Sequence, residues 1–441
     1  MKLSKFVKCS DLDFEVDGKK TKVLLDCRTG KIFLANCEIL NGLANRGRLS
    51  DEEIDTILSD RWDDLELKKW VATVKAAQID EAVLRIVVLL TSQCNLACGY
   101  CGQVHERGTI SEDFVSEFNV FLQESISAHP RVSHIEICWF GGEPMLALSK
   151  IKSLSGILDA VCLHFNLTWS SRMATNGVLL TSKHTEELVS ISKLKYIEVT
   201  LDGPERIHNS SRPKRKGRYG GFTDIVRNLS EVLSAEGLAD LEVSVRINLH
   251  AGNADSIDEL LIDLSERGFA QWENLSLNFA PVFSWSDESD RIMVERHKLA
   301  ERELELQNLA FKLGFSSFVI PTDVKRSLCV GAQKMSVVFD PTGQAFKCTE
   351  HPLTPGYEDA CIGKIEERSS LFESIGGYQD WPNRMENGDV ICSQCSFLPI
   401  CGGSCPRQWE KGTAVPCPLF TFNTLERLSV LGKRLGLEVC S

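Results

Sequence analysis

No stretch of this chain approaches the roughly 18 consecutive apolar residues that a helix needs to cross a bilayer. The opening, MKLSKFVKCSDLDFEVDG, turns acidic too early for a secretory signal. A cytoplasmic location with no membrane partner is therefore expected. Basic residues are also in short supply. Over 441 residues, 49 lysines and arginines face 61 aspartates and glutamates, a formal charge of −12. That balance excludes a chain that coats nucleic acid or anionic lipid over its whole surface. A P-loop, a nucleophile elbow and a dinucleotide-binding glycine fingerprint are all missing, which removes the commonest phosphate, acyl and hydride chemistries.

Cysteine, by contrast, is abundant at 17 residues. An odd count without a secretory start argues against a disulfide framework, and clustered thiols in a reducing compartment more often bind metal. Three stand at Cys94, Cys98 and Cys101, and seven more crowd the C-terminal quarter: Cys329, Cys348, Cys392, Cys395, Cys401, Cys405 and Cys417. The scattered remainder (Cys9, Cys27, Cys37, Cys138, Cys162, Cys361, Cys440) read as small buried hydrophobes.

Residues 23–36, KVLLDCRTGKIFLA, predict a hairpin turning near Gly30. A short helix ending at Gly47 and another capped by Ser50 follow. From residue 84 to about 313 the pattern alternates. LRIVVLLTS, HIEICWF, TWSSRMATN, YIEVTLD, LEVSVRINLH and LSLNFAPVF read as strands, with helical stretches between them. Such alternation predicts an α/β fold of parallel strands with right-handed crossovers, as an open sheet or a barrel. Either architecture puts its ligand site at the C-terminal ends of the strands. After about residue 325 the chain is richer in loops. FDPTGQAFKC predicts a hairpin at Pro341-Thr342-Gly343, and CSQCSFLPICGGSCPRQWEKGTAVPC has too much Cys, Gly and Pro to build a core unaided. TLERLSVLGKRLGL predicts an amphipathic helix packing back onto the body.

Cys94-x3-Cys98-x2-Cys101 follows the first strand of the alternating region. With His105 it fits a zinc site of three cysteines and one histidine; alone it fits an iron–sulfur cluster with one iron left open. The second strand ends in Gly141-Gly142-Glu143-Pro144 on the same rim. Two glycines permit close backbone approach, Glu143 offers a carboxylate to an ammonium group, and Pro144 starts a helix.

Cys94-x3-Cys98-x-Tyr100-Cys101 followed by GGEP resembles the radical S-adenosylmethionine (SAM) superfamily. The resemblance implies a partial (β/α)6 TIM-like barrel whose three cysteines hold a [4Fe–4S] cluster that binds SAM. It places Gly141, Gly142, Glu143 and Pro144 at the methionyl amine and Tyr100 near the adenine. Further SAM contacts are implied at Asn176, Thr200 and Arg212. The C-terminal spacing resembles the SPASM extension, a Cys-rich Fe–S domain with two auxiliary clusters. By that resemblance Cys392, Cys395, Cys401 and Cys417 ligate one, and Cys329, Cys348 and Cys405 the other. Either Cys361 completes the second set or one iron stays open. The N-terminal unit resembles a winged-helix-like leader-peptide recognition element. The implied division is residues 1–80 for recognition, 81–315 for the radical SAM barrel and 316–441 for the SPASM domain.

The expected function is radical modification of a ribosomally made precursor peptide with a leader sequence, forming an intramolecular C–C or thioether cross-link. A flavodoxin or ferredoxin is the expected reductant. Anaerobic sulfatase-type maturation (formylglycine formation) is the alternative. Such enzymes typically carry an aspartate base directly after the cysteine matching Cys348, where this chain has Thr349, leaving Glu350 as the candidate catalytic base. A non-catalytic Fe–S or zinc protein that only binds a peptide is the reading from another class. The one dense basic run, RPKRKGRYGG at 212–221, reads as a rim loop near SAM or an acidic peptide, and no nucleic-acid partner is expected.

Overall fold

The computed structural model describes all residues except 1–3, 41–62, 217–220, 284–293, 327, 374–377, 412–415 and 441. Apart from one turn at Cys37–Leu40, the two short helices expected at 37–47 and after Ser50 lie outside the described residues. Among the described residues no helix is long and apolar enough to cross a membrane.

The first four strands, β1 (Val7–Cys9), β2 (Phe14–Val16), β3 (Lys19–Asp26) and β4 (Lys31–Asn36), form an antiparallel sheet. β3 and β4 are the expected hairpin; β1 and β2 line the other side of β3 and were too short to announce themselves. The alternating region then gives β5 (Val83–Leu89), β6 (His134–Phe140), β7 (Thr168–Thr175), β8 (Leu194–Thr200), β9 (Glu242–Leu249) and β10 (Leu275–Pro281). All five pairings between successive members are parallel. The sheet continues past β5 to β11 (Ser336–Phe339), β12 (Gln344–Phe346) and β13 (Gly363–Lys364), nine strands in all. β11 lies parallel to β5, and β11 and β12 are the hairpin expected at Pro341-Thr342-Gly343. β10 and β5 do not pair, so the barrel stays open.

Helices cover the outer face. α1 (Asp63–Gln78) precedes β5, and α2 (Glu112–Ala128) and α3 (Leu148–Phe165) follow β5 and β6. α2 starts where Ser111 caps it by accepting a hydrogen bond from the Phe114 amide at 3.1 Å. Strand alternation decides what is core. Ile135, Ile137 and Trp139 on β6, Ile197 and Val199 on β8, and Val243, Val245 and Ile247 on β9 face outward and pack under the helices. The opposite parity faces the lumen and carries Arg172, Glu198, Arg246 and Asn278. The main core therefore lies between sheet and helices, not inside the barrel.

The N-terminal sheet does not stand apart. Phe6, Phe14, Val23, Leu25 and Cys27 share one core with Ile320, Ile400 and Leu428. Leu428 lies on the expected C-terminal helix, Thr424–Arg434. Gly432 of that helix sits where a Cβ would come within 2.4 Å of the Phe14 ring, so only glycine admits this packing. β14 (Glu438–Val439) then pairs with β2 as the fifth strand. α1 packs Trp70, Val71 and Val74 against Trp381, Met385, Val390 and Leu398 of the cysteine-rich region. Arg427 and Glu303 form a buried ion pair that fastens the last helix to the helix Arg296–Lys312.

Deleting residues 1–36 should therefore expose Ile320, Ile400 and Leu428 and destabilise the C-terminal region by several kcal/mol, since each large buried side chain contributes about 2–5 kcal/mol. Thermal unfolding followed by circular dichroism tests this. A truncated chain that keeps its midpoint and cooperativity would show that the sheet is a detachable addition.

Candidate functional site

The loop after β5 carries Cys94, Cys98 and Cys101, and a second segment clasps it. The Ala97 amide donates to the Pro213 carbonyl at 2.8 Å, Gly99 to Ser211 at 2.9 Å, and Arg215 to Asn95 at 3.0 Å. The Arg215 Nε also donates to the Leu96 carbonyl, at 3.0 Å. The described part of the basic run is thus the cysteine loop's antiparallel partner; residues 217–220 lie outside the described residues. The three thiols lie within electrostatic reach of one another. Burial pushes Cys98 up to about 12, and its neighbours upward too. His105 is not with them. Its Nδ1 is 2.6 Å from the Ser92 carbonyl, behind the loop.

Gly141 and Gly142 lie against this loop. A Cβ on Gly142 would meet the Gln93 carbonyl at 2.3 Å, and one on Gly141, whose φ is +132°, the Thr91 carbonyl at 2.4 Å. The close approach that the sequence implied is thus made to the chain's own cysteine loop. Pro144 opens the short helical turn Pro144–Ala147, which Glu143 caps. The Glu143 carboxylate is fully buried and accepts from Thr175 Oγ1 (2.6 Å), the Asn176 amide (2.8 Å) and the Met145 amide (3.0 Å). Burial raises its pKa against the opposing pull of those hydrogen bonds. Asn176 reaches from the end of β7 to Asn95 Oδ1 (2.7 Å) and toward Cys94 Sγ (3.8 Å). Thr200 ends β8 opposite Arg246 of β9.

Tyr100 turns its hydroxyl into a polar knot that the sequence reading missed. It donates to Asp202 Oδ2 and accepts from Arg212 Nη1 and, at 3.1 Å, from Asn248 Nδ2. Asp202 also accepts the Asn248 amide at 2.9 Å, and its own carbonyl and amide engage Asn253 and His208. Burial opposes the Arg212 charge, but Tyr100, Cys98 and Asp202 outweigh it and hold the guanidinium firmly protonated. His208, fully buried, is driven down to about 3. Loss of water raises the Tyr100 hydroxyl well above the usual phenol range. The available signal was positional: Asp202 and Asn248 stand at the C-terminal ends of adjacent strands in an α/β fold.

The C-terminal cysteines gather in the two expected sets. Cys392, Cys395, Cys401 and Cys417 act electrostatically on one another, as do Cys329, Cys348 and Cys405 in part. A cavity of about 450 Å³ beside the first set is lined by Cys401, Ser404, Pro416, Pro418 and Arg296, among others. Cys361 packs in a different cluster from Cys348. Its thiol donates to the Gly363 carbonyl at 3.2 Å and packs among Val87, Val338 and Leu353. Glu350 lies between sites, within electrostatic reach of Cys101, Cys348 and Cys405. Burial raises its pKa, with Arg407 and Arg246 opposing. Among the described residues no three Cys, His, Asp or Glu side chains converge tightly enough for a single metal ion. A zinc ion with bonds of about 2.3 Å demands such convergence.

Comparison with known proteins agrees with this fold. Residues 88–264 match the Radical SAM superfamily. The chain is 22% identical to a serine-type anaerobic sulfatase-maturating enzyme of Klebsiella aerogenes, over 71% of this chain and 77% of that one. Its fold is similar to native anSMEcpe with bound AdoMet and Kp18Cys peptide, with TM-score 0.59 and 17% identity, covering 80% of this chain and 98% of that one. It is also similar to Streptococcus suis SuiB bound to the precursor peptide SuiA, with TM-score 0.50 and 14% identity, covering 94% and 98%.

Replacing Asp202 with asparagine removes the carboxylate that pairs with buried Arg212 and should cost about 3–5 kcal/mol. Tyr100→Phe, which removes only a hydroxyl, should cost about 1–2 kcal/mol. Chemical denaturation of the metal-free chain measures both, and equal losses would contradict the central place given to Asp202.

Proposed function

This chain is a radical SAM enzyme, and we propose that it oxidises a side chain of a precursor peptide to close an intramolecular C–C or thioether cross-link. The enzyme assignment sets aside a non-catalytic peptide-binding role. The observation that carries the reading is the place of Glu350, between the SAM-type cysteine loop and a second set of cysteines.

Radical SAM enzymes use a [4Fe–4S] cluster and SAM, which when bound supply a radical able to take a hydrogen atom from unactivated carbon. In our reading Cys94, Cys98 and Cys101 hold that cluster. Cys392, Cys395, Cys401 and Cys417 hold one auxiliary cluster, and Cys329, Cys348 and Cys405 the other, without Cys361. Tyr100, Gly141, Gly142, Glu143, Pro144, Asn176, Thr200 and Arg212 surround SAM. Glu143 braces the loops and leaves Oε2 one further lone pair for an amine. Arg212, kept charged by its partners, is available to a carboxylate. Closing the new bond removes two hydrogens from the peptide. One leaves as an atom; the other leaves as a proton with one electron. Glu350 receives that proton, and its raised pKa makes it a stronger base than a surface carboxylate. An auxiliary iron–sulfur group held by Cys329, Cys348 and Cys405 would supply the acceptor for that electron. The outer edge of β4, unpaired among the described residues, suits an extended leader segment.

Formylglycine formation is the second reading. It is favoured by the similarity to sulfatase-maturating enzymes and by a carboxylate close to Cys348, though at Glu350 rather than at Thr349. Reaction of the product with hydroxylamine separates the two, because only formylglycine carries an aldehyde.

Replacing Cys94, Cys98 and Cys101 with alanine should abolish 5′-deoxyadenosine formation while iron bound to the C-terminal cysteines remains; cleavage that survives would remove the cluster assignment. Glu350→Gln should still form 5′-deoxyadenosine but lower modified peptide by about 10²-fold or more, as expected when a general base is lost. The wild-type rate should rise with pH through a pKa above the usual carboxylate range. A pH profile unchanged in the variant would dismiss Glu350 as the base.

A further inference from the structure

The lumen of the barrel is divided. On the β5–β6 side it is apolar and filled, with Val87, Leu89 and Phe140 packed against Val338, Phe346 and Leu353. On the β7–β10 side it is charged and open to water, unlike the layered side chains that fill a closed barrel. Three arginines share the lumen-facing parity of the sheet, Arg172 and Arg246 on this side and Arg85 on β5, below the apolar filling. Arg85 pairs with Glu136 at 3.1 Å, and Arg246 with Glu198 at 3.4 Å. Arg172 is exposed, and among the described residues no carboxylate stands within 4.0 Å of it. It lies level with Cys138 and Tyr196 in the sheet and acts electrostatically on Tyr196 and on the Cys138 thiol. That thiol brings no counter-charge, because burial raises its pKa and keeps it protonated. Arg172 thus presents a cation with no ion-pair partner among the described residues, four residues below Asn176 and roughly 13 Å down the strand from the rim.

We propose that Arg172 is a specificity residue that anchors a carboxylate of the peptide substrate inside the barrel. The inference rests on the peptide reading above. Glutamates of the lumen already neutralise the other two arginines, so a bound segment gains most by bringing its own negative group to Arg172. A guanidinium takes a carboxylate through two parallel hydrogen bonds, a geometry that fixes orientation as well as position. The depth of Arg172 requires that the carboxylate come from a long acidic side chain on an inserted loop or from the free end of the chain. Either source would set the register of the peptide and so select the residue presented to the rim.

The test uses the anaerobically reconstituted holoenzyme with SAM. It is equilibrated with pools of random-sequence synthetic peptides, one pool ending in a free carboxylate and one amidated, and captured peptides are read by mass spectrometry. Wild type is expected to enrich peptides bearing Asp or Glu, or a free terminus, about tenfold over neutral ones. Arg172→Gln should lose that enrichment and Arg172→Glu should reverse it toward Lys and Arg, both with wild-type iron content and SAM binding. Survival of the enrichment in the amidated pool assigns the carboxylate to a side chain; its loss there assigns it to the terminus. Peptides captured without acidic preference, or with the same preference in both variants, would overturn the role of Arg172 and leave the peptide reading intact. Failure of wild type to capture any peptide would overturn the peptide reading and this inference with it.

Discussion

Asp202 is the point on which the rim depends. A carboxylate without water is tolerable only when donors surround it, and Asp202 collects its donors from different parts of the chain. Tyr100 comes from the cysteine loop, Arg212 from the clasp and Asn248 from β9. Each partner is itself polar and largely withdrawn from water, so losing the carboxylate would strand several groups at once. Through Tyr100 and Arg212 this one side chain fixes both strands of the two-stranded loop that carries the cysteines. The cysteine loop is therefore held by the protein's own hydrogen bonds. The same logic applies to Glu143, which ties the end of β6 to the end of β7 with two hydrogen bonds and caps its own turn with a third.

The barrel inverts the usual economy of its fold class. Apolar contacts hold the outer face of the sheet to its helices, while half of the lumen is left to charges and water. An open edge between β5 and β10 makes this possible, since water that can enter keeps the arginines and glutamates solvated. Closure falls instead to the C-terminal region, whose β11 extends the sheet beside β5 and whose loops plug the apolar half. The two halves of the lumen thus differ in kind, one packed and apolar, the other charged and solvated.

Much of this was legible in the sequence, and what was not has a physical explanation. Each of the six strands read from alternation between residues 84 and 283 is present, because a parallel sheet covered by helices imposes a strong pattern of buried β-branched residues. The clasp at 211–215 was not legible, because backbone pairing between an irregular loop and a basic segment leaves no periodic trace. Nor was the knot around Asp202, where single polar residues at strand ends meet only in three dimensions. β2 and β14 escaped notice because neither is long enough to show alternation. The glycines at 141 and 142 were recognised as a site of close approach, but what approaches them is backbone from the preceding strand's exit.

The pairing of β2 with β14 has a consequence for how the chain comes to be. Residues 14–16 and 438–439 share a sheet although more than four hundred residues separate them. Contacts of such separation form late, because the entropy of closing so large a loop must be met before they return anything. During synthesis the first strands emerge without the helix and strand that complete them, and their apolar face must wait while the barrel assembles. The cysteine-rich region, which rests on that face through Ile400, can settle only when the last helix docks. Iron would then be captured by thiols whose surroundings are finished at the end of folding, so an interrupted chain would bear a barrel but no properly housed C-terminal cysteines.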